Sequence, residues 1–226
     1  MKNLGAEHEN LDQKAYLVIK EMITNRKLLP GDKIPQEKLA HELGISRTPL
    51  VSALKYLEKE KLVVAQPRRG FFVRLFTIQE MIHIFELREV LEGLAARRAA
   101  LCISDGQKND LKEFFKHFSP PIETSQYKAY VKDDRQFHNY VTEIGSKEFL
   151  KSILQTYNII SFSYQVISSE GLVRPPDETL YEHLAMIDAI CSHAAEKAEA
   201  LMRQHFIKTI RFLKNEFEAE SIAVNH

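Results

Sequence analysis

The sequence predicts a mainly α fold in two parts: a small N-terminal unit of three helices and a β-hairpin over residues 1–76, then an antiparallel all-helical bundle over residues 77–226. Three observations carry that reading. Apolar residues recur at helical spacing through most of the chain. Convincing β-rich runs occur only around a Pro/Arg/Gly tip near residue 68. Charge is also unevenly divided. Residues 1–76 carry 14 Lys+Arg against 9 Asp+Glu, giving +5, and the remainder carries 17 against 22, giving −5, although the whole chain is neutral. A basic front and an acidic back point to two domains with different partners.

The composition, 44% hydrophobic and 27% charged, is that of an ordinary globular chain. No stretch of about 18 uncharged apolar residues suggests a membrane span. The opening MKNLGAEHENLDQK lacks the apolar core of an export signal. Two cysteines, Cys102 and Cys191, are too few for a disulfide scaffold or a cysteine zinc finger, and they suit a reducing cytoplasm.

In the first unit, Ala15, Val18, Ile19, Met22 and Ile23 set the apolar face of a helix over residues 14–25. Pro30-Gly31-Asp32 breaks the chain. Pro35 is expected to open a second helix, Gln36 to Leu43, that buries Leu39, Ala40 and Leu43. Gly44 ends that helix and Ser46 is placed to cap the next one. The third helix, Arg47 to about Glu60, turns Leu50, Ala53, Leu54 and Leu57 inward. Leu62 to Ala65 and Phe71 to Val73 then pair around Gln66-Pro67-Arg68-Arg69-Gly70.

Two short helices joined by a tight glycine turn form the unit whose second helix enters the major groove of DNA. Arg47 leads that helix and can donate two hydrogen bonds to a guanine. Ser46, Thr48, Ser52 and Lys55 suit backbone contacts, which position a protein without reading sequence. Arg68, Arg69 and Gly70 form a tip able to reach a phosphate or the minor groove. The run PGDKIPQEKLAHELGISRTPLVSALKYLEKEKLVVAQPRRGFFV resembles the winged helix-turn-helix of the GntR family of bacterial regulators. Ser46-Arg47-Thr48-Pro49 and the Pro-Arg-Arg-Gly wing are its most specific parts. The chain departs from that family at Val51, where an arginine is usual, and at Ser52, where an acid is usual. The departure implies a different operator, or greater reliance on Arg47 and the wing.

From Thr77 onward, helices are expected over 78–103, 105–118, 124–143, 147–168, 177–192 and 195–218, with short connections that imply an antiparallel bundle. Polar residues on apolar faces are the informative positions. Asp134 and His138 are four apart and share one helical face with Phe137 and Val141 close by. His183 lies among Leu180, Leu184 and Ile187, and His205 among Leu201, Met202 and Thr209. The midpoint of 183 and 205 is 194, at the expected turn. An antiparallel hairpin therefore brings both histidines to one height, about 16 Å from that turn at about 1.5 Å per residue. One carboxylate and three imidazoles suit zinc, nickel, iron or manganese. Each histidine taken singly reads better as a hydrogen-bonded core residue than as a ligand, and the four residues together leave the two readings open.

The second part resembles the FCD effector domain of FadR-like GntR regulators. The resemblance lies in Phe85-Glu86-Leu87-Arg88, Asp134-Arg135-Gln136-Phe137-His138, Glu182-His183-Leu184-Ala185-Met186-Ile187 and Met202-Arg203-Gln204-His205. Six helices match the shorter, VanR-like type. The resemblance implies that Asp134, His138, His183 and His205 hold a divalent metal, zinc first, whose open positions bind a small carboxylate effector. It also implies a homodimeric regulator of a DNA operator, usually a repressor. Arg88 could pair with an effector carboxylate or, equally, with Glu92 four residues on. Asn158, Tyr164 and Gln165 are further candidates for the pocket lining. The rival reading is a metal-dependent hydrolase fused to a DNA-binding module. It needs a general base near a metal-bound water, and Glu182 beside His183 faces elsewhere on its helix.

Overall fold

Why the first unit folds is visible in its helix faces. In the computed structural model, which describes residues 10–146, 150–156 and 172–224, helix α1 (Leu11–Thr24) buries Ala15, Ile19 and Ile23. That face meets α3 (Arg47–Lys59), whose Leu50, Ala53, Leu54 and Leu57 are sealed from solvent. Each such large side chain contributes about 1.5–3 kcal/mol on burial. Between them lies α2 (Gln36–Glu42), ended by Leu43 and by Gly44 at φ +63°. The left-handed turn expected of Gly44 is therefore present.

Two local expectations are corrected. Pro35 is the cap residue before α2 and not its first helical residue; its carbonyl accepts the Leu39 N–H. Ser46 does occupy the cap of α3, but its hydroxyl accepts no helix N–H. The cause lies three residues on, where Pro49 has no N–H to offer at the usual capping position. The Ser46 hydroxyl is thereby left out of the helix end.

Strands β1 (Val63–Gln66) and β2 (Gly70–Val73) pair antiparallel, Val63 with Val73 through Gln66 with Gly70. Lys33 adds a single bridge to Phe72. At the tip, Arg68 has φ +63° and Gly70 has φ +96°. A Cβ on Gly70 would come within 2.8 Å of Gln36 Nε2, so glycine both permits the turn and lets the hairpin tip approach the start of α2.

The chain divides into compact units 1–75 and 76–226. The second opens with α4 (Ile78–Cys102), whose start is closed by reciprocal Thr77 and Glu80 capping bonds. Its buried Ala95, Ala96, Ala99 and Ala100 let neighbouring helices approach closely. Helix α5 (Asp105–Glu113) follows, then a 3-10 turn (Thr124–Gln126) running into α6 (Tyr127–Gly145). Residues 150–156 form helix α7. Helices α8 (Pro176–Cys191) and α9 (Ala195–Val224) make an antiparallel pair about a turn at 192–194. Helix α4 packs against α6, α8 and α9.

Helix α5 ends five residues before the expected 118. Phe114 is extended and Phe115 takes φ +61°, a conformation that costs a non-glycine residue about 1 kcal/mol or more. Tertiary packing overrides the helical pattern there: Phe115 is fully buried against Tyr130, Phe137 and His183. Among the described residues no helix is long and apolar enough to cross a membrane.

Candidate functional site

In the first unit a groove of about 430 Å³ brings together Arg47 from α3, Arg68, Arg69 and Gly70 from the hairpin tip, and Lys33 and Lys38 from the approach to α2 and its first turns. Five cations against the lone acid Glu37 on this wall make a positive concavity. Lys33 and Lys38 escaped the sequence reading because nothing local marks them as neighbours of Arg47. Arg69 lies with its guanidinium carbon 5.3 Å from the Phe72 ring centroid, which restrains the side chain. Ser46, Thr48 and Lys55 are exposed and Val51 and Ser52 half-buried, and none of the five lines the groove.

In the second unit His138, His183 and His205 are buried, and each offers a ring nitrogen within 4.8 Å of the others. The 183/205 register expected from their spacing is present, with ring centroids 4.9 Å apart across the α8/α9 pair. Asp134 Oδ1 lies 3.2 Å from His183 Nε2. Each Nδ1 has its own partner: Glu92 Oε2 at 2.6 Å for His138, Tyr130 Oη at 3.1 Å for His183 and Glu182 Oε2 at 2.7 Å for His205. Tyr130 is tied in turn to Thr179 Oγ1 at 2.8 Å. Nδ1–H groups that donate outward leave Nε2 lone pairs aimed inward, the arrangement in which imidazoles ligate metals.

Whether these residues fit a metal can be judged from His183. Its Nε2 is fully buried and makes no hydrogen bond, although the Asp134 carboxylate is 3.2 Å away. Two lone-pair donors facing each other away from water are costly unless a cation lies between or beside them. Burial, followed by the neighbouring His205, His138 and Arg174, pushes the His183 pKa well down, so the ring is neutral and able to ligate. The donor set therefore fits a divalent ion, with Asp134, His138, His183 and His205 as the residues that would hold it.

A small cavity of about 50 Å³ opens beside the cluster, walled by Asp134, His138 and His205 together with Arg88, Arg174 and Thr209. It has room for one to a few water-sized groups. The two readings of Arg88 coexist. Its Nε bonds Glu92 Oε1 at 2.6 Å, and its side chain still lines the cavity over the Phe206 ring. Burial alone would raise the Glu92 pKa, but Arg88 and His138 hold it down at about 2. Arg174, Glu92 as a partner of His138 and Glu182 as a partner of His205 were not anticipated. Asn158, Tyr164 and Gln165 lie outside the described residues.

The neutral histidines give a pH prediction for metal-stripped protein. Burial lowers the folded-state pKa of both His183 and His205, whereas in the unfolded chain both titrate near about 6.5. Below that pH the unfolded state binds more protons, so stability falls as pH falls through 6.5. His183 alone should cost about 1–2 kcal/mol between pH 7.5 and 5.5. Urea midpoints that do not move over this range would contradict a neutral buried His183.

Comparison with known proteins agrees with the two-unit geometry. Residues 11–73 match the family of bacterial regulatory proteins called gntR, and residues 83–208 match the FCD domain. The chain is 25% identical over 207 residues to the HTH-type transcriptional regulator YdhC of Bacillus subtilis strain 168, covering 90% of this chain and 91% of that one. It is 24% identical over 202 residues to the HTH-type transcriptional repressor RspR of Escherichia coli K12, covering 86% and 85%. Two solved structures share the fold. A GntR regulator from Rhodococcus sp. RHA1 superposes with a TM-score of 0.71 at 16% identity, covering 90% of this chain and 97% of that one. McbR/YncC of E. coli gives 0.69 at 16% identity, covering 92% and 98%. The chain belongs to the GntR family of bacterial regulatory proteins, with an FCD domain after its winged helix-turn-helix, and is a DNA-binding transcriptional regulator.

Proposed function

We propose that this regulator is a cytoplasmic, homodimeric repressor whose grip on its operator is set by a small organic acid bound at a divalent metal, zinc first, in the helical unit. The observation that carries the proposal is the convergence of three buried imidazoles, two of which, His138 and His205, wall a small cavity together with Asp134. A divalent ion held by Asp134, His138, His183 and His205 would offer its remaining coordination positions to a carboxylate. Arg88 lines the same wall and supplies positive charge for that anion. The ligand changes DNA affinity only through unequal affinity for the DNA-competent and incompetent arrangements.

Dimer formation is supported by Leu87, Val90, Leu94 and Leu101, which lie exposed along one narrow side of α4. A self-complementary apolar stripe suits contact with a second copy. Two recognition helices would then address half-sites about one helical turn apart. The hydrolase reading receives no support from the comparisons. Glu182, the acid considered as a base, is engaged by Arg174, His205 and Lys208.

The test is elemental analysis of the purified protein without a histidine tag, followed by a screen of small carboxylates against DNA binding. Near-stoichiometric metal and a carboxylate that shifts operator affinity are expected. Metal absent even after addition of divalent ions would overturn the account of the second domain. On the DNA side, Arg47→Ala should weaken binding to an operator selected from random-sequence DNA by about 1–3 kcal/mol and relax preference at one base pair. Unchanged affinity in a fluorescence titration would place the recognition surface elsewhere.

A further inference from the structure

Two of the three clustered histidines are held in the same way by different parts of the bundle. On one side Arg88 Nε donates to Glu92 Oε1 at 2.6 Å, and His138 Nδ1 lies 2.6 Å from the other oxygen of the same carboxylate. On the other, Arg174 Nη1 and Nη2 donate to Glu182 Oε2 and Oε1 at 2.9 and 2.8 Å, and His205 Nδ1 lies 2.7 Å from Glu182 Oε2. Both arginines and both histidines line the one cavity. Arg88, Glu92, His138, Arg174 and His205 are all buried.

A carboxylate taken out of water, fully for Glu92 and in part for Glu182, needs a charged partner, and in each set the arginine is a partner that keeps the glutamate an acceptor. An ionised glutamate facing Nδ1 compels the ring to carry its proton there, which leaves Nε2 unprotonated and turned to the cluster. The arginine acts on the histidine through the glutamate.

We propose that Glu92 and Glu182 are positioning residues of two Arg-Glu-His relays, Arg88-Glu92-His138 and Arg174-Glu182-His205, which set the tautomer of the two histidines and so determine the metal affinity of the cluster. The proposal rests on the metal reading above, and its test separates the two. Neither glutamate touches the ion; each acts by deciding which nitrogen of its histidine is available.

Substitution by glutamine preserves shape but leaves one acceptor oxygen facing donors that previously shared two. In Glu92→Gln the amide N–H₂ must face either Arg88 Nε–H or His138 Nδ1. The second arrangement moves the histidine proton to Nε2 and removes that lone pair from the cluster.

The experiment is titration of metal-stripped full-length protein with Co²⁺, following affinity and visible d–d absorption for the wild type, Glu92→Gln and Glu182→Gln. The wild type should bind one equivalent; failure there overturns the metal site itself. Each variant should bind about 10–100-fold more weakly, with an altered absorption spectrum because an imidazole leaves the coordination sphere. A purely structural role would lower the thermal midpoint while leaving affinity and spectrum of the folded protein unchanged, and that outcome overturns the relays. Should Glu92→Gln fail to fold, Glu182→Gln carries the same test, since its side chain is 14% exposed and has Lys208 as a further partner.

Discussion

His183→Ala is expected to reduce bound metal from near-stoichiometric to a trace, and to abolish any response of DNA binding to carboxylates. His183 is the completely buried member of the cluster, stacked on Phe115 at 4.5 Å between ring centroids with 4° between planes. Its Nε2 is the atom beside Asp134. Loss of an outer-shell partner alone costs about 10–100-fold in metal affinity, so loss of a ligand should cost more than about 100-fold. The void left beside Phe115 should also cost the helical unit about 2–4 kcal/mol, by analogy with other large-to-small core changes. Elemental analysis, a urea titration of the metal-stripped protein and DNA binding together separate these effects. Operator binding without carboxylate should persist, because residues 1–75 form their own core. Full metal occupancy in the folded variant would remove His183 from the ligand set.

Gly145→Ala should be the most damaging small substitution in the bundle. Helix propensity alone predicts a gain of about 1 kcal/mol from replacing a helical glycine with alanine. The crossing of α4 and α6 predicts the opposite. A Cβ at 145 would fall 1.8 Å from the Ala95 carbonyl oxygen and 2.7 Å from its carbon. Both are backbone atoms and cannot rotate aside, so the helices must separate by roughly 1.5 Å to restore van der Waals distance. The expected cost is about 3 kcal/mol or more, the upper end for overpacking. Separation would also pull His138 on α6 from Glu92 on α4, now 2.6 Å apart, so metal affinity should fall together with stability. A variant as stable as the wild type in urea would mean that the helices do not cross this closely.

Much of the first unit is legible without coordinates because its punctuation is local. Gly44 at φ +63° and Gly70 at φ +96° sit at turns that few other residues permit. The apolar faces of α1 and α3 are set by residues three and four apart. The failed Ser46 cap shows how local rules compete. The residue type and position are right, but Pro49 removes the donor that the usual bond requires. Phe115 shows the opposite limit, since its strained turn is stabilised by contacts with α6 and α8 that no window around residue 115 contains.

The candidate site divides along the same line. Asp134 and His138 share a helix face by spacing, and His183 and His205 meet because both stand 11 residues from residue 194, at the turn of an antiparallel pair. Helical geometry converts those sequence intervals directly into proximity. The sequence by itself therefore determined the two-part fold, the winged helix-turn-helix and the histidine cluster. Only the tertiary structure decided that Glu92 serves both Arg88 and His138, that Glu182 serves both Arg174 and His205, and that Lys33 and Lys38 join Arg47 in the basic groove. Those assignments depend on which helix faces meet and at what height, and neither a 3.6-residue period nor a turn signal carries that information.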